Sequence, residues 1–418
     1  MGILYHLRKI TLIRISSQRI PVKRNRVLAL VIHYILRVGF FLFRFFSLNF
    51  LFRRKELPLK NIKKILVIRI DGLGDVVMST PAFKGIREIF SNAHITLLTA
   101  TWSKELVEVM PTFDELIYFD APWIVKKQKG KLINLFKIVK KLRIEKFDLA
   151  IDLRGDFRNN ILMYFCNRKN RIGFNITGCD FLLNHVVPIG ENHHLVNASL
   201  SLINYLKPKN IKEYTLNLWT TKEDRDFIDH FLRENGINSN KVSNIIVIIH
   251  PGARWYGRRW KAERYAQIAD SLIEKYDARV ILGGSSSDFE LIRDIASLMK
   301  HIPIEAAGKT SLRQFLALLE KSDLFIGLDS GPMHMATAMG TKVVALFGPA
   351  RPEAVGPWGN GHIVITHQKD FACSPCAQTV CKRPYDSCMQ AITVEEVWAA
   401  VQEQIGKIFY QRRFKKNL

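Results

Sequence analysis

The 418-residue sequence has few acidic residues and few cysteines. It contains 38 Asp and Glu against 62 Lys and Arg, and only six Cys. So few cysteines exclude a disulfide-dense scaffold. Signatures of several large enzyme classes are also missing. The sequence contains no P-loop, no H-E-x-x-H and no G-x-S-x-G, which disfavours P-loop NTPases, zincins and α/β-hydrolases.

The composition that remains is that of an ordinary globular protein. Hydrophobic residues make up 48% and charged residues 24% of the chain, which excludes global disorder, collagen and a polytopic membrane protein. The length exceeds that of one usual hydrophobic core, so it predicts two domains with additional segments.

The net charge of +24 is concentrated at the two ends of the chain. Residues 1–60 contain 13 Lys and Arg and one acid, and residues 407–418 contain five basic residues and no acid. The body between them therefore carries only +7. This distribution argues against a core that binds nucleic acid and favours contact of the ends with an anionic surface.

Residues 27–52 form a long apolar run, VLALVIHYILRVGFFLFRFFSLNFLF. Its length could span a bilayer, but a central arginine costs about 2.5–3.5 kcal/mol on insertion. Arg26, His33, Arg37 and Arg44 are seven, four and seven residues apart, so they share one helical stripe. The stripe predicts a basic amphipathic helix on an anionic membrane surface. A spanning helix and a helix docked on the protein's own core are the alternatives.

From residue 64 onward, short β-branched runs alternate with stretches of helical periodicity. This alternation is typical of parallel sheets with crossover helices, and it begins twice, at KKILVIRIDGLGD and at NIIVIIHPGAR. We therefore predict an α/β fold with two Rossmann-like domains facing a cleft, preceded by a basic amphipathic helical extension. The predicted segments are the membrane-surface segment 1–60, the first domain 61–238, the second domain 239–406 and the basic tail 407–418.

The same patterns give individual elements. The predicted strands are 64–70, 94–99, 147–152, 245–249, 278–283, 323–327 and 342–347. The predicted helices are 76–90, 131–144, 221–235, 261–276, 286–299, 311–320 and 332–339.

The first chemical motif is IRIDGLGDVVMSTPAFKGIRE. Gly72 and Gly74 form a tight turn after a buried strand, but Val77 replaces the third glycine of a dinucleotide fingerprint. Asp75 follows at the carboxyl end of the strand, where open α/β sheets bind ligands. It is a candidate general base, and a helix N-cap is the alternative. Asp71 is a second candidate carboxylate or a turn former.

The second motif is HPGARWYGRRWKAERYAQIADSL. It again runs from a strand through a glycine loop into a helix. Arg254, Arg258, Arg259 and Lys261 place four cations within eight residues, and guanidinium groups bind phosphate oxygens in pairs. We interpret this loop as a phosphate-binding loop, with a solvated basic loop as the alternative.

The third motif, SDLFIGLDSGPMHMATAMGTKVVALFGPARPEAVGPWG, places a strand before a helix of small residues. Ser330, Gly331 and the N–H groups of the helix start form a predicted anion site. Pro332 suits the first helical turn. Asp329 or His334 could contact a ribose, a sugar or a phosphate. Together with the loop after the next strand, this motif predicts a pocket for a nucleoside diphosphate.

Four cysteines fall close together as Cys373-x2-Cys376-x4-Cys381-x6-Cys388. Thiolates at this density can hold Zn²⁺ or an iron–sulfur cluster. The spacing is not that of a standard zinc finger, and a reduced, packed loop is the alternative.

Taken together, these segments resemble glycosyltransferase family 9, the lipopolysaccharide heptosyltransferases. The resemblance covers residues 61–405 and rests on the three motifs above, on GKTSL at 308–312 and on the cysteine run. It implies a GT-B fold with the acceptor site in the first domain and the nucleotide-sugar site in the second. It also implies inverting, metal-independent transfer from ADP-L-glycero-D-manno-heptose to a lipid A–core acceptor, with no cofactor. The first sixty residues have no counterpart in the compact members of the family.

The resemblance also implies roles for individual residues. The proposed general base of the family's GDV segment falls on Asp75, within an acceptor-side loop that includes Asp71, Gly72 and Gly74. The lysine and proline of the family's K-x-W-P segment are replaced by Arg258 and Lys261, which keeps the charge and changes its geometry. The residues implied in donor and phosphate binding are Arg258, Asp329, Ser330, Gly331, Pro332, Met333 and His334.

We therefore expect a glycosyltransferase at the cytoplasmic face of a bacterial inner membrane. Its expected partners are a nucleotide-sugar donor, a lipopolysaccharide or glycolipid acceptor and an anionic membrane surface, but no nucleic acid. A nucleotide-sugar epimerase of the same fold, which needs no acceptor, and a non-enzymatic membrane-surface binding protein are the alternatives.

Overall fold

The structure is a computed structural model. It describes residues 57, 59–124, 131–167, 169–189, 194–206, 215–237, 245–376, 381–383 and 385–415. The predicted amphipathic segment at 27–52 lies outside the described residues.

The first lobe contains six parallel strands in the order β3-β2-β1-β4-β5-β6. They are β1 (Lys64–Arg69), β2 (His94–Thr99), β3 (Glu115–Tyr118), β4 (Leu149–Asp152), β5 (Asn170–Phe174) and β6 (His185–Val187). The helices of this part of the chain are α1 (Leu73–Val77), α2 (Thr80–Ile89), α3 (Lys104–Val107), α4 (Lys131–Ile144), α5 (Phe157–Cys166) and α6 (Leu195–Leu206).

A connecting helix, α7 (Lys222–Glu234), leads to a second sheet of the same design, in the order β12-β11-β10-β7-β8-β9. Its strands are β7 (Ile246–His250), β8 (Arg279–Leu282), β9 (Ile304–Glu305), β10 (Leu324–Leu328), β11 (Lys342–Phe347) and β12 (Ile363–Thr366). Its helices are α8 (Ala262–Tyr276), α9 (Phe289–Leu298), α10 (Leu312–Lys321), α11 (Gly331–Ala338), α12 (Pro352–Val355) and α13 (Val394–Lys415).

The central strands of both sheets are buried along almost their whole length, as in β1 and β10. Strands covered by helices on both faces read as continuous apolar runs, which is why the sequence pattern identifies them. The prediction of two Rossmann-like domains in an α/β fold is confirmed. In each sheet the first strand lies between the second and the fourth, which is the order of a dinucleotide-binding fold.

The prediction of one helix at 76–90 is wrong. The segment forms two helices, α1 and α2, which meet at Met78 and Ser79. Pro81 lies in the first turn of α2. A proline has no N–H to donate and clashes with the preceding turn, so it cannot continue a helix from α1.

The two lobes are joined by polar contacts as well as by packing. The helix α7 packs against α10, and Lys321 forms an ion pair with Asp229 at 2.9 Å. Glu105 from α3 accepts hydrogen bonds from the backbone N–H groups of Leu312 at 2.8 Å and Arg313 at 3.3 Å. A carboxylate from the first lobe thus caps the N-terminus of a second-lobe helix.

Candidate active site

The candidate residues lie where each sheet changes direction. The order of strands reverses between β1 and β4 in the first lobe and between β7 and β10 in the second. Open α/β sheets bind ligands outside the carboxyl ends of the strands at such switch points. The first motif follows β1, the second follows β7 and the third follows β10.

The starts of α1 and α11 meet across the interface between the lobes. A Cβ atom added at Gly74 would lie 2.8 Å from Cδ2 of His334, and one added at Gly331 would lie 3.5 Å from the backbone N of Gly74. Glycine is therefore needed at position 74, whereas a Cβ atom at position 331 would make only an ordinary van der Waals contact. The structure brings the first and third motifs together.

Asp75 is the third residue of α1, and its side chain is largely buried. The N-cap of α1 is Gly72, so the interpretation of Asp75 as an N-cap is wrong. A Cβ atom at Gly72 would lie 3.3 Å from Oδ2 of Asp75. The carboxylate therefore lies over the turn that precedes its own helix, and that helix contacts α11 of the second lobe.

Arg69 lies beneath Asp75, and the sequence analysis did not identify it. Its Nε and Nη2 donate to the backbone oxygen of Asp75 at 3.2 and 3.0 Å, and its Nη1 donates to that of Leu153 at 2.6 Å. Nη2 lies 3.8 Å from Oδ1 of Asp75. This buried guanidinium ties the ends of β1 and β4 together and fixes the position of Asp75.

Asp71 stabilises the turn after β1, which is one of the two roles that its position in the sequence suggested. Its carboxylate accepts a hydrogen bond from the N–H of Gly72 at 2.9 Å, which stabilises the turn. It also pairs with Arg154, from the loop after β4, at 3.2 Å. Arg154 also donates to the backbone oxygen of Ile70 at 2.7 Å, so it is a second residue that the sequence analysis missed.

Arg258 lies against the third motif. Its Nη1 donates to Oδ2 of Asp329 at 2.5 Å. Both hydrogen bonds of this guanidinium to the described residues use Nη1, which leaves Nε and Nη2 for an anionic ligand. The other cations of the second motif have different positions: Arg254 and Lys261 are exposed, and Arg259 donates to the backbone oxygen of Ala253.

The third motif forms the start of α11, with Ser330 as the N-cap and Pro332 in the first turn. The hydroxyl of Ser330 donates to the backbone oxygen of Leu328 at 3.2 Å. Met333 and His334 are buried. Met333 belongs to the apolar core, so its side chain packs inside the lobe, and its backbone is the part nearest to the helix N-terminus.

The cysteine run packs beside the second and third motifs. The N–H of Cys376 donates to the backbone oxygen of Pro349 at 3.1 Å, and Cys381 lies against Gly257. Burial raises the pKa of Cys388 to about 11, so it is a thiol at neutral pH. Among the described residues, no three His, Cys, Asp or Glu side chains are grouped as a metal site, so the structure does not support a structural zinc ion or an iron–sulfur cluster.

Asp152 ends β4 at the first switch point and is completely buried. Burial raises its pKa from 3.8 to about 6, although Asn159 Nδ2 and two backbone N–H groups donate to the carboxylate. Between these pH values the folded chain keeps a proton that the unfolded chain has lost. The contribution of Asp152 to the free energy of unfolding therefore falls as the pH rises from 4 to 6.

We expect the difference in unfolding free energy between wild type and Asp152→Asn to decrease by about 3 kcal/mol from about pH 3 to about pH 7, most steeply between pH 4 and 6, and to level off above that range. Chemical denaturation of both proteins at several pH values measures this difference, because Asn does not titrate. A difference that stays flat or rises with pH contradicts the assignment.

A further contact joins the end of the third motif to a first-lobe residue outside the predicted motifs. Nε2 of His194 lies 3.0 Å from the backbone oxygen of Gly356, and its ring lies 4.8 Å from that of Trp358. Gly356 and Trp358 lie in the GPWG run that ends the third motif, whereas His194 lies in none of the motifs.

Two facing Rossmann-like lobes, with their switch points in contact, define the GT-B class of α/β proteins. Comparison with known proteins is specific about the family. Residues 135–385 match the family model described as glycosyltransferase family 9 (heptosyltransferase). The chain belongs to glycosyltransferase family 9 and is a glycosyltransferase. This result confirms the resemblance and does not favour the epimerase or the binding protein.

Individual relatives agree with this assignment. The chain is 26% identical over 339 residues to lipooligosaccharide heptosyltransferase 2 of Campylobacter jejuni, covering 80% of this chain and 96% of the relative. It is 26% identical over 304 residues to lipopolysaccharide heptosyltransferase 3 of Escherichia coli, covering 69% and 85%.

Solved structures share the fold. The family 9 glycosyltransferase of Veillonella parvula has a TM-score of 0.73 at 23% identity, covering 82% of this chain and 98% of that one. The ADP-heptose heptosyltransferase II of E. coli has a TM-score of 0.65 at 21% identity, covering 84% and 99%. Within the residues described here, none of the helices combines the length and the apolar character needed to cross a membrane.

Proposed function

We propose that this chain transfers heptose from ADP-heptose to the core of a lipopolysaccharide or a related glycolipid, with inversion at the anomeric carbon and without a metal ion. The second lobe binds the nucleotide sugar, and the first lobe binds the acceptor. The observation that carries the proposal is the contact between the starts of α1 and α11. This contact supports the proposal because it brings the helix that carries Asp75 against the N-terminus of α11.

The reaction is a direct displacement. Asp75 removes the proton from an acceptor hydroxyl, and that oxygen attacks the anomeric carbon from the face opposite the diphosphate. The bond from the anomeric carbon to the diphosphate oxygen breaks, and the electron pair leaves with the diphosphate. The free N–H edge of Arg258 and the N-terminus of α11 stabilise the negative charge that develops there.

The residues around Asp75 serve this chemistry by holding its position. Arg69 binds the backbone of Asp75 and is itself held by β4. Fixed geometry matters because reacting atoms must meet at about 3–3.5 Å. Contact between the lobes also excludes water, which would otherwise hydrolyse the donor.

We further propose that the enzyme acts at the cytoplasmic face of the inner membrane, with residues 1–60 on the anionic surface. The support is the +12 charge of this segment and its helical stripe of basic residues. A glycolipid acceptor is anchored in the same surface.

The proposed reaction predicts a donor preference that can be measured directly. We expect ADP-heptose, compared with UDP- and GDP-sugars, to raise the melting temperature most, because a ligand at one hundred times its Kd stabilises a protein by about 2.7 kcal/mol. We expect transfer to a heptose-deficient lipopolysaccharide acceptor to persist in EDTA and to give the inverted anomer by NMR. A retained anomer, or product formed from the donor alone, contradicts the proposal.

A further inference from the structure

The helix α4, which crosses from β3 to β4, is apolar on two opposite sides. Ile138 and Leu142 are buried inside the first lobe. On the other side, Ile133, Phe136 and Ile144 are exposed by 62%, 77% and 66%. A crossover helix needs only one apolar side to cover a sheet, so the second side requires another explanation.

The exposed apolar residues are mixed with lysines on a single stripe. At 100° per residue, positions 133, 136, 137, 140 and 144 fall within about 100° of the helix circumference. We call this stripe the α4 face; it consists of Ile133, Phe136, Lys137, Lys140 and Ile144. Both of its lysines are exposed.

Most of the charge excess of the chain's body lies in and just after α4. Residues 131–146 contain six Lys and Arg and a single acid, Glu145, for a net charge of +5. The body between the basic termini carries +7 in total. The rest of the body therefore carries only +2, and the basic excess is concentrated at α4.

We propose that the α4 face binds the surface of an anionic lipid bilayer. Ile133, Phe136 and Ile144 enter the headgroup region, and Lys137 and Lys140 reach the lipid phosphates. An interfacial helix combines large apolar side chains with lysines in this way, and each lysine near an anionic surface adds favourable energy. A nucleic acid would use the lysines but would gain little from exposed isoleucines, so the mixture favours lipid.

The direction of α4 connects this surface to the active site. In a β–α–β unit the helix begins at the carboxyl edge of the sheet. The first half of α4, with Ile133 and Phe136, therefore begins on the edge that carries Asp75. If the proposed function holds, a bilayer on the α4 face would present a glycolipid headgroup toward that edge.

The test uses the full chain and vesicle co-sedimentation, with titration of the lipid and the salt. We expect the double variant Ile133→Ser/Phe136→Ser to bind vesicles of phosphatidylglycerol and phosphatidylcholine at least about tenfold more weakly than wild type. We expect Lys137→Glu/Lys140→Glu to weaken binding by about tenfold or more and to reduce its salt dependence. Ile302→Ser is the matched control, because Ile302 is 96% exposed in the second lobe, and we expect it to bind as wild type does.

Three results would overturn the proposal. The first is unchanged vesicle binding in both double variants. The second is a lower melting temperature of the variants without a change in vesicle binding. That result would mean that the α4 face packs against another part of this chain and not against lipid. The third is loss of oligonucleotide binding without loss of vesicle binding.

Activity separates this inference from the proposed function. We expect Ile133→Ser/Phe136→Ser to transfer heptose to a water-soluble, deacylated acceptor with an unchanged kcat and to show a raised KM for acceptor in vesicles. Absence of transfer by the wild type to either acceptor would refute the proposed function and leave the vesicle result standing.

Discussion

Replacing Asp75 by Asn should reduce kcat by about 10²–10⁴-fold. The amide has the same shape as the carboxylate but cannot accept the proton of the acceptor hydroxyl. Arg69 holds Asp75 through its backbone oxygen, so the position of the side chain should be preserved. Steady-state kinetics with ADP-heptose and a heptose-deficient acceptor measure the loss, and the affinity for ADP-heptose should change little.

Asp71→Asn is the matched control, because Asp71 lies four residues before Asp75 in the same motif. Its carboxylate stabilises the turn and pairs with Arg154. We expect this variant to lose stability and much less of its kcat than Asp75→Asn. If Asp75→Asn folds and retains kcat within a few-fold of wild type while Asp71→Asn loses it, the two roles are reversed.

Gly74→Ala should reduce kcat by about 10²-fold, because it forces the lobes apart. The new Cβ atom would lie 2.8 Å from Cδ2 of His334, a ring that is 3% exposed and has little room to move. Overpacking of this kind typically costs about 1–3 kcal/mol of stability, and a displacement of about 1 Å at an active site costs about 10²-fold in rate. Melting temperature and kcat should therefore fall together.

A cycle with His334→Ala tests the cause of the Gly74→Ala effect. If the clash is with His334, the stability losses of the two variants should not add, because the smaller side chain leaves room for the methyl group. Gly406→Ala is the control: no atom lies within 4 Å of a Cβ added there, in the middle of α13. It should stabilise the protein by about 0.5–1 kcal/mol and leave kcat unchanged. Wild-type stability and kcat in Gly74→Ala would contradict the close approach of the lobes.

The central strands could be predicted because burial on both faces gives each a continuous apolar run. All seven predicted strands exist, with bounds within two residues of the prediction. The strands that the sequence analysis missed are β3, β5, β6, β9 and β12. Four of these lie at the edges of the sheets, where one side lacks a partner and the pattern is shorter and more polar.

The helical periodicity also predicted helices that no internal proline interrupts. The bounds of α4, Lys131–Ile144, agree with the prediction. The break between α1 and α2 was missed, although Pro81 signals it.

The site could be predicted only where its residues are close in sequence. Asp75 and the third motif each follow a strand, so their loops were visible. Arg69 was not, because a basic residue at the end of a buried strand has no local signal. Its role depends on Leu153, which is 84 residues away. The pairing of Arg258 with Asp329 likewise joins two loops across 71 residues.

The hydrogen bonds from the start of α10 to Glu105 link the two lobes, so any opening of the cleft that separates them must break these bonds. If the lobes swing apart to admit the acceptor, the N–H groups of Leu312 and Arg313 must exchange a carboxylate for water. A hydrogen bond to a charged group is worth about 1.5–3 kcal/mol, so opening would cost free energy at the start of α10. The closed form should therefore be favoured at rest. The strength of the two hydrogen bonds to Glu105 on α3 would then help to set how often the cleft opens.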